Sequence, residues 1–279
     1  MSSEQGFRAI HYICHGPDTK LLSYKRDHKP RLVVDSGSEV SFDNTNSDFL
    51  NIKRGTTSED IISLGCWEGP EDLEKLMGPI YVNGAVGNFT AQNGSMGLER
   101  AVLPGVGMLE HEVPGLHLKT FDLPESKDYA VFKKGFHIPC QPFYGTMAVA
   151  QAEDGDRHPL PPCNDIGGNF DCRYIGQGAT LYLPVNVPGA LFMVGDGHFS
   201  QGDGEITGVA LETTMKSRMR LSVIKGKDKL QTPHYESNPE RVKQMVSVGD
   251  KGEHGTLSRH ADRGMASQLA VLEMVRWLE

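Results

Sequence analysis

From Val194 to Glu205 the chain reads Val-Gly-Asp-Gly-His-Phe-Ser-Gln-Gly-Asp-Gly-Glu, which places Asp196, His198, Asp203 and Glu205 within ten residues. Carboxylates and imidazoles bind divalent cations and move protons. The interleaved glycines let the backbone reach positive φ, so such side chains can be turned toward one point. Two ordinary Asx turns would account for Asp196-Gly197 and Asp203-Gly204. They would not account for His198 and Glu205. A calcium EF-hand loop counted from Asp196 needs glycine where Gln201 stands. The calcium-binding nonapeptides of β-helices must repeat, and this segment occurs once.

A second polar group precedes it, Gly167-Gly-Asn-Phe-Asp171 with Arg173 two residues on. The paired glycines permit close approach of backbone to a ligand. Asn169 and Asp171, spaced i and i+2, face one side of an extended segment. Pairing of Asp171 with Arg173 is the structural alternative. No G-x-S-x-G elbow surrounds Ser200, and Cys172 reads as a buried structural thiol. His111 and His137 sit among apolar residues and read as core or surface histidines.

The elements that must position these groups are mainly strands. Residues Arg31–Phe42 predict two strands about a turn at Asp35–Gly37. Short helices are expected near Ser58 and over Glu71–Met77, with Gly78-Pro79 breaking the chain before a strand at Ile80–Val82. Gly84–Gly97 lacks any sustained period and reads as a loop. Strand-like pieces occupy Gly135–Val149. The most regular β region runs from Thr180 to Ile224, turning at Pro188-Gly189, and places Asp196–Glu205 in a loop between two strands. In it Arg218, Arg220 and Ser222 alternate with Met219, Leu221 and Val223, as in a strand with one wet face. Met265–Leu278 is the clear helix, with an apolar stripe at Leu269, Leu272, Val275 and Leu278. It reaches Glu279 with no C-cap residue, which reads as a helix cut short. The fold expected is mostly β, with sandwich- or barrel-like sheets and a few helices including a C-terminal one, α+β overall. It forms one unit over residues 1–279, with a candidate subdomain break near residue 150.

Composition narrows the function. With 28 basic and 36 acidic residues the net charge is −8, which argues against nucleic acid or an anionic membrane as partner. No apolar run approaches a membrane span, and the N-terminal residues lack the apolar core of a secretory signal. Five scattered cysteines without a C-x-x-C pair suit reduced thiols. A cytoplasmic location is the expectation.

Gly78-Pro-Ile-Tyr-Val-Asn-Gly-Ala85, Pro104-Gly-Val-Gly-Met-Leu109, Gly167-Gly-Asn-Phe-Asp171 and Leu181-Tyr-Leu-Pro-Val185 occur in that order, followed by Pro188 through Glu205. Together they resemble the acetamidase/formamidase family, from roughly Val33 to His234. Val86–Arg100 departs from the family pattern. The resemblance implies a mostly β homo-oligomer that hydrolyses small carboxamides to acid and ammonia with a divalent metal. On that footing Asp196, His198 and Asp203 are the expected metal ligands and Glu205 the proton shuttle. Gly168, Asn169 and Asp171 are the expected substrate-binding residues. Mixed Asp, Glu and His donors suit zinc first, then manganese or calcium. The competing expectation is a binding domain that keeps the loop without the chemistry.

Overall fold

A computed structural model describes residues 11–14, 16, 18–43, 56, 57, 60, 76–105, 117–121, 123–159, 165–205, 209–226, 228, 230–245, 254–258 and 262–278. The strands run β1 His11–Cys14, β2 Lys20–Leu21, β3 Leu32–Val34, β4 Ser38–Asp43, β5 Leu76–Val82, β6 Gly87–Gly105, β7 His117–Phe121, β8 Tyr129–Lys133 and β9 Phe136–Pro139. They continue with β10 Phe143–Ala148, β11 Gly167–Asn169, β12 Thr180–Val185, β13 Phe192–Ser200, β14 Leu211–Ile224, β15 His234–Glu236 and β16 His254–Thr256. Helices α1, Pro239–Met245, and α2, Arg263–Leu278, complete the described elements. The fold is mostly β with a C-terminal helix, as expected.

Apart from the β8–β9 hairpin, the described strands join in one sheet whose main path is β11-β10-β13-β14-β6-β12-β15-β16. β14 organises it. One edge pairs β6 antiparallel from Glu212↔Val102 to Ile224↔Asn88, while β13 and then β4 share the other. Along β14, Met215, Met219 and Leu221 are buried and Lys216 and Arg220 exposed, the period of two expected of a half-wet strand. Phe42 of β4 and Phe192 of β13 meet edge to face at 6.2 Å, within a core that includes Leu76, Ile80, Met147 and Leu183. Burial of each such side chain is worth about 1.5–3 kcal/mol.

Several expectations change. Gly84–Gly97 is largely strand, because β6 is hydrogen-bonded on both edges, to β12 and β14. Backbone pairing there replaces the missing hydrophobic period. Leu76 and Met77 open β5 instead of closing a helix; residues 71–75, and most of the helix expected near Ser58, lie outside the described residues. The strand at Ile80–Val82 and the turn at Asp35–Gly37 stand as expected.

Both helices start on a cap. Asn238 Oδ1 accepts the Glu240 amide ahead of α1, with Pro239 as first helical residue, and Asp262 Oδ1 accepts the Met265 amide ahead of α2. α2 does not bury its apolar stripe. Leu272, Val275 and Leu278 are exposed, whereas Glu273 is only 3% exposed. Glu273 accepts a hydrogen bond from Arg276 at 3.2 Å and meets His234 Nε2 at 3.2 Å, and the His234 ring stacks on Trp277. The inward face of this helix is therefore set by a polar latch.

Burial holds His234 below its ordinary pKa of 6.5, against the pull of Glu273. The unfolded chain then takes up the proton more readily, so this group's stability is present above pH 6.5 and is lost as pH falls below it. The melting temperature should drop as pH falls below about 6.5, and His234→Gln should flatten that slope. An unchanged slope in the variant would remove His234 as its source.

Candidate active site

The cluster is built on two antiparallel neighbours. β10 pairs β13 through Phe143↔His198, Tyr144↔Gly197 and Thr146↔Gly195, and β10 pairs β11 through Thr146↔Asn169 and Met147↔Gly168. Asp196 and His198 therefore lie inside β13, where a loop was expected, because the pairing with β10 carries the strand through them. Asp196 adopts φ 61 within it, and the register with β14 shifts between His198 and Ser200. Only the residues after Ser200 turn, ending at Gly204 and Glu205 with φ 80 and 42.

Gly145 of β10 lies across from Asp196, and its carbonyl accepts the amides of Phe170 and Asp171. A Cβ at Gly145 would fall 2.1 Å from Asp196 Oδ2 and 2.6 Å from Asp171 Oδ1. Both carboxylates thus occupy space that only glycine leaves open.

His198 is 1% exposed and lies edge-on to Phe143 at 4.8 Å. Its Nδ1 meets Gln201 Oε1 at 2.9 Å, and Gln201 Nε2 donates to the Asp171 carbonyl at 2.6 Å. This leaves Nε2 facing Asp196 Oδ1 at 2.9 Å and Glu212 Oε1 at 3.5 Å. An outer hydrogen bond of this kind sets which nitrogen faces a cation or a proton. Two overlapping groups bring their donor atoms within 4.8 Å of one another: Asp171, Asp196 and His198, and His198, Glu205 and Glu212.

Four carboxyl groups around one imidazole cannot all ionise freely. Burial works against the His198 imidazolium, but Asp196 and Glu212 outweigh it and hold its pKa well above 6.5. Burial likewise opposes the Asp196 carboxylate, and His198 outweighs it, so Asp196 is lowered. Burial and the charge of Asp171 push Glu205 up to about 9. Burial, opposed by His198 and reinforced by Asp196, pushes Glu212 up to about 8. At neutral pH the cluster thus pairs a carboxylate with an imidazolium and keeps two carboxylic acids as proton donors.

Of the residues singled out by sequence, Asp171, Asp196, His198 and Glu205 come together. Asp203 belongs to neither metal-capable group among the described residues; its Oδ2 accepts the Tyr174 hydroxyl at 3.2 Å. Asn169, buried in β11, accepts the Thr146 hydroxyl at 3.0 Å, with Gly168 beside it opposite Met147. Asp171 and Arg173 form no ion pair; Arg173 turns instead to Gln141. Glu212 was missed. Its one signal is that it is the sole carboxylate of β14, where it is 6% exposed and accepts the Ala210 amide. Gln201 and Gly145 carried no sequence signal of their role.

A sequence model of the acetamidase/formamidase family matches residues 140–279. An acetamidase of Mycolicibacterium smegmatis is 34% identical over 146 residues, covering 48% of this chain and 35% of that protein. A formamidase of Methylophilus methylotrophus is 31% identical over 146 residues, covering 48% of this chain and 34% of its own. The chain thus spans about a third of the length of these curated relatives. The crystal structure of an acetamidase from Bacillus halodurans superposes with a TM-score of 0.80 at 22% identity, over 96% of this chain and 84% of that one. That of an acetamidase from Yersinia enterocolitica gives 0.80 at 22% identity, over 98% and 82%. These likenesses show a shared fold.

Proposed function

Because the chain belongs to the acetamidase/formamidase family, we propose that it hydrolyses the C–N bond of small linear carboxamides, of the formamide and acetamide type, to acid and ammonia. The observation that carries the reading is the convergence of Asp171, Asp196, Glu205 and Glu212 on His198. Amide hydrolysis needs activated water, a stabilised oxyanion and a proton for the departing amine.

The donor set fits a divalent cation, since the carboxyls outnumber the one imidazole and all are at least partly buried. Asp171, Asp196 and His198 would hold it, His198 giving up its Nε2 proton as the cation binds, with zinc ahead of manganese or calcium. A cation there supplies Lewis acidity, acidifying water and polarising a carbonyl. Gln201 fixes the imidazole through Nδ1. Glu205, whose pKa is raised to about 9, gives its proton to the leaving amine and recovers one from the attacking water. Glu212 holds the far side of His198 while its own position is set by the Ala210 amide. Asn169, its Oδ1 already engaged by Thr146, turns its amide donors to the substrate carbonyl.

Glu205→Gln should lower the rate of ammonia release by about 10²–10⁴-fold while metal content stays near that of the parent. Parental turnover in this variant would remove Glu205 from the chemistry. No ammonia from any short amide with metal-loaded protein would overturn the hydrolytic reading.

A further inference from the structure

A cavity of about 430 Å³ is lined by Glu205, Gln201, Gln141, Arg173, Phe132 and Leu211, among others. That volume lies in the range of sites for ligands of some size, about 300–1,000 Å³, and exceeds what a one- or two-carbon amide fills. Most of the wall is apolar, and Arg173 is its basic residue.

Arg173 is unusually placed. Its Nη2 donates to Gln141 Oε1 at 3.2 Å, and its Nε is buried without a hydrogen-bond partner among the described residues. Behind it Arg241, from α1, donates from Nη2 to the Gln141 carbonyl at 2.7 Å and lies near the Arg173 carbonyl at 3.5 Å. The Arg241 guanidinium packs where Gly176 has no side chain: a Cβ there would fall 2.3 Å from Cζ. Its Nε too is buried without a partner. Burial, with the like charge of Arg173 adding to it, brings Arg241 down to about 10. Among the described residues no carboxylate pairs with either guanidinium. Two neighbouring cations with spare N–H donors and no counter-ion among the described residues form a receptor for an anion, and the planar guanidinium matches a carboxylate best. The acidic residues on the same wall do not fill that role, since Asp203 accepts from Tyr174 and Glu205 faces the His198 cluster.

We propose that Arg173, backed by Arg241, binds a carboxylate carried on the acyl part of the substrate, so that the preferred amides are half-amides of short dicarboxylic acids. The inference rests on the amide-hydrolase reading for its reaction, and deepens it by naming the substrate class. The neutral amide end reaches Glu205, the member of the cluster that lines the cavity, and the carboxylate end reaches Arg173.

The test compares ammonia release from succinamate and glutaramate with that from butyramide and pentanamide. The half-amides should show a kcat/KM at least about tenfold higher, the usual range for one charged hydrogen-bonded contact. Arg173→Gln should collapse that ratio toward one, mainly through KM, and Arg173→Lys should restore part of it. A second measurement needs no turnover: glutarate should raise the melting temperature of the parent more than its neutral diamide does, and Arg173→Gln should lose the difference. A glutarate shift that depends on Arg173, with no amide hydrolysed, would keep the anion site and remove the hydrolase reading. Equal turnover of charged and neutral amides would overturn the proposal. So would equal protection by acetate and glutarate, since Arg173 would then serve the acid product.

Discussion

Replacing His198 with alanine is expected to lower ammonia release by about 10³-fold or more and to strip bound metal at the same time. His198 is the member common to both metal-capable groups, so no other single removal disrupts both. Among the described residues it is also the cation that faces both Asp196 and Glu212. Breaking a buried pair typically costs about 3–5 kcal/mol. Here the cost should fall at or below the low end, because Glu212 already favours its neutral form and Asp196 retains some exposure. Ammonia assay, metal analysis and a thermal melt on the same preparation separate chemistry from folding. A folded His198→Ala protein with parental turnover would remove the cluster from the reaction.

Gly145→Ala should be nearly as damaging although it adds only a methyl group. The new carbon meets Asp196 Oδ2 at 2.1 Å and Asp171 Oδ1 at 2.6 Å. The backbone there cannot retreat easily, since β10 is paired to β13 on one side and its Gly145 carbonyl holds Phe170 and Asp171 on the other. Gly145 is not among the residues with positive φ, so the effect is steric and aimed at the two carboxylates. Displacement of catalytic groups by about 1 Å can cost 10²-fold in rate, while overpacking costs about 1–3 kcal/mol in stability. Kinetics beside a melt on Gly145→Ala would check this; full activity would mean that the Asp171–Asp196 approach is unimportant.

Part of this site was legible from sequence because it is local. Asp196, His198 and Glu205 lie within ten residues, and an excess of glycines around titratable groups is a strong signal. Asp171 was legible for a similar reason, beside its glycine pair. What escaped was set by strand pairing. Glu212 reaches His198 only because β13 and β14 are antiparallel with His198 opposite it, a register that no short window contains. Asp203 is the reverse case, since proximity in the chain did not bring it into either donor group among the described residues. The same distinction applies to the fold. β4, β12 and β14 follow their alternation, whereas β6 is held by neighbours on both edges, and its glycines and asparagines read as a loop. The apolar stripe of α2 gave no sign that Glu273 is the buried residue, because Glu273 is retained by His234, a partner 39 positions away.

The long ladder between β6 and β14 also sets when the carboxylate–imidazole cluster exists. Glu212 sits opposite Val102, a separation of 212 − 102 = 110 residues. Contacts this distant in sequence form slowly, because the intervening chain must lose its freedom before they stabilise anything. On a ribosome, the residues from Asp171 to Glu212 emerge after β6, so the partner for β14 is waiting when β14 appears. The cluster is therefore assembled from the later part of the chain onto a template synthesised earlier.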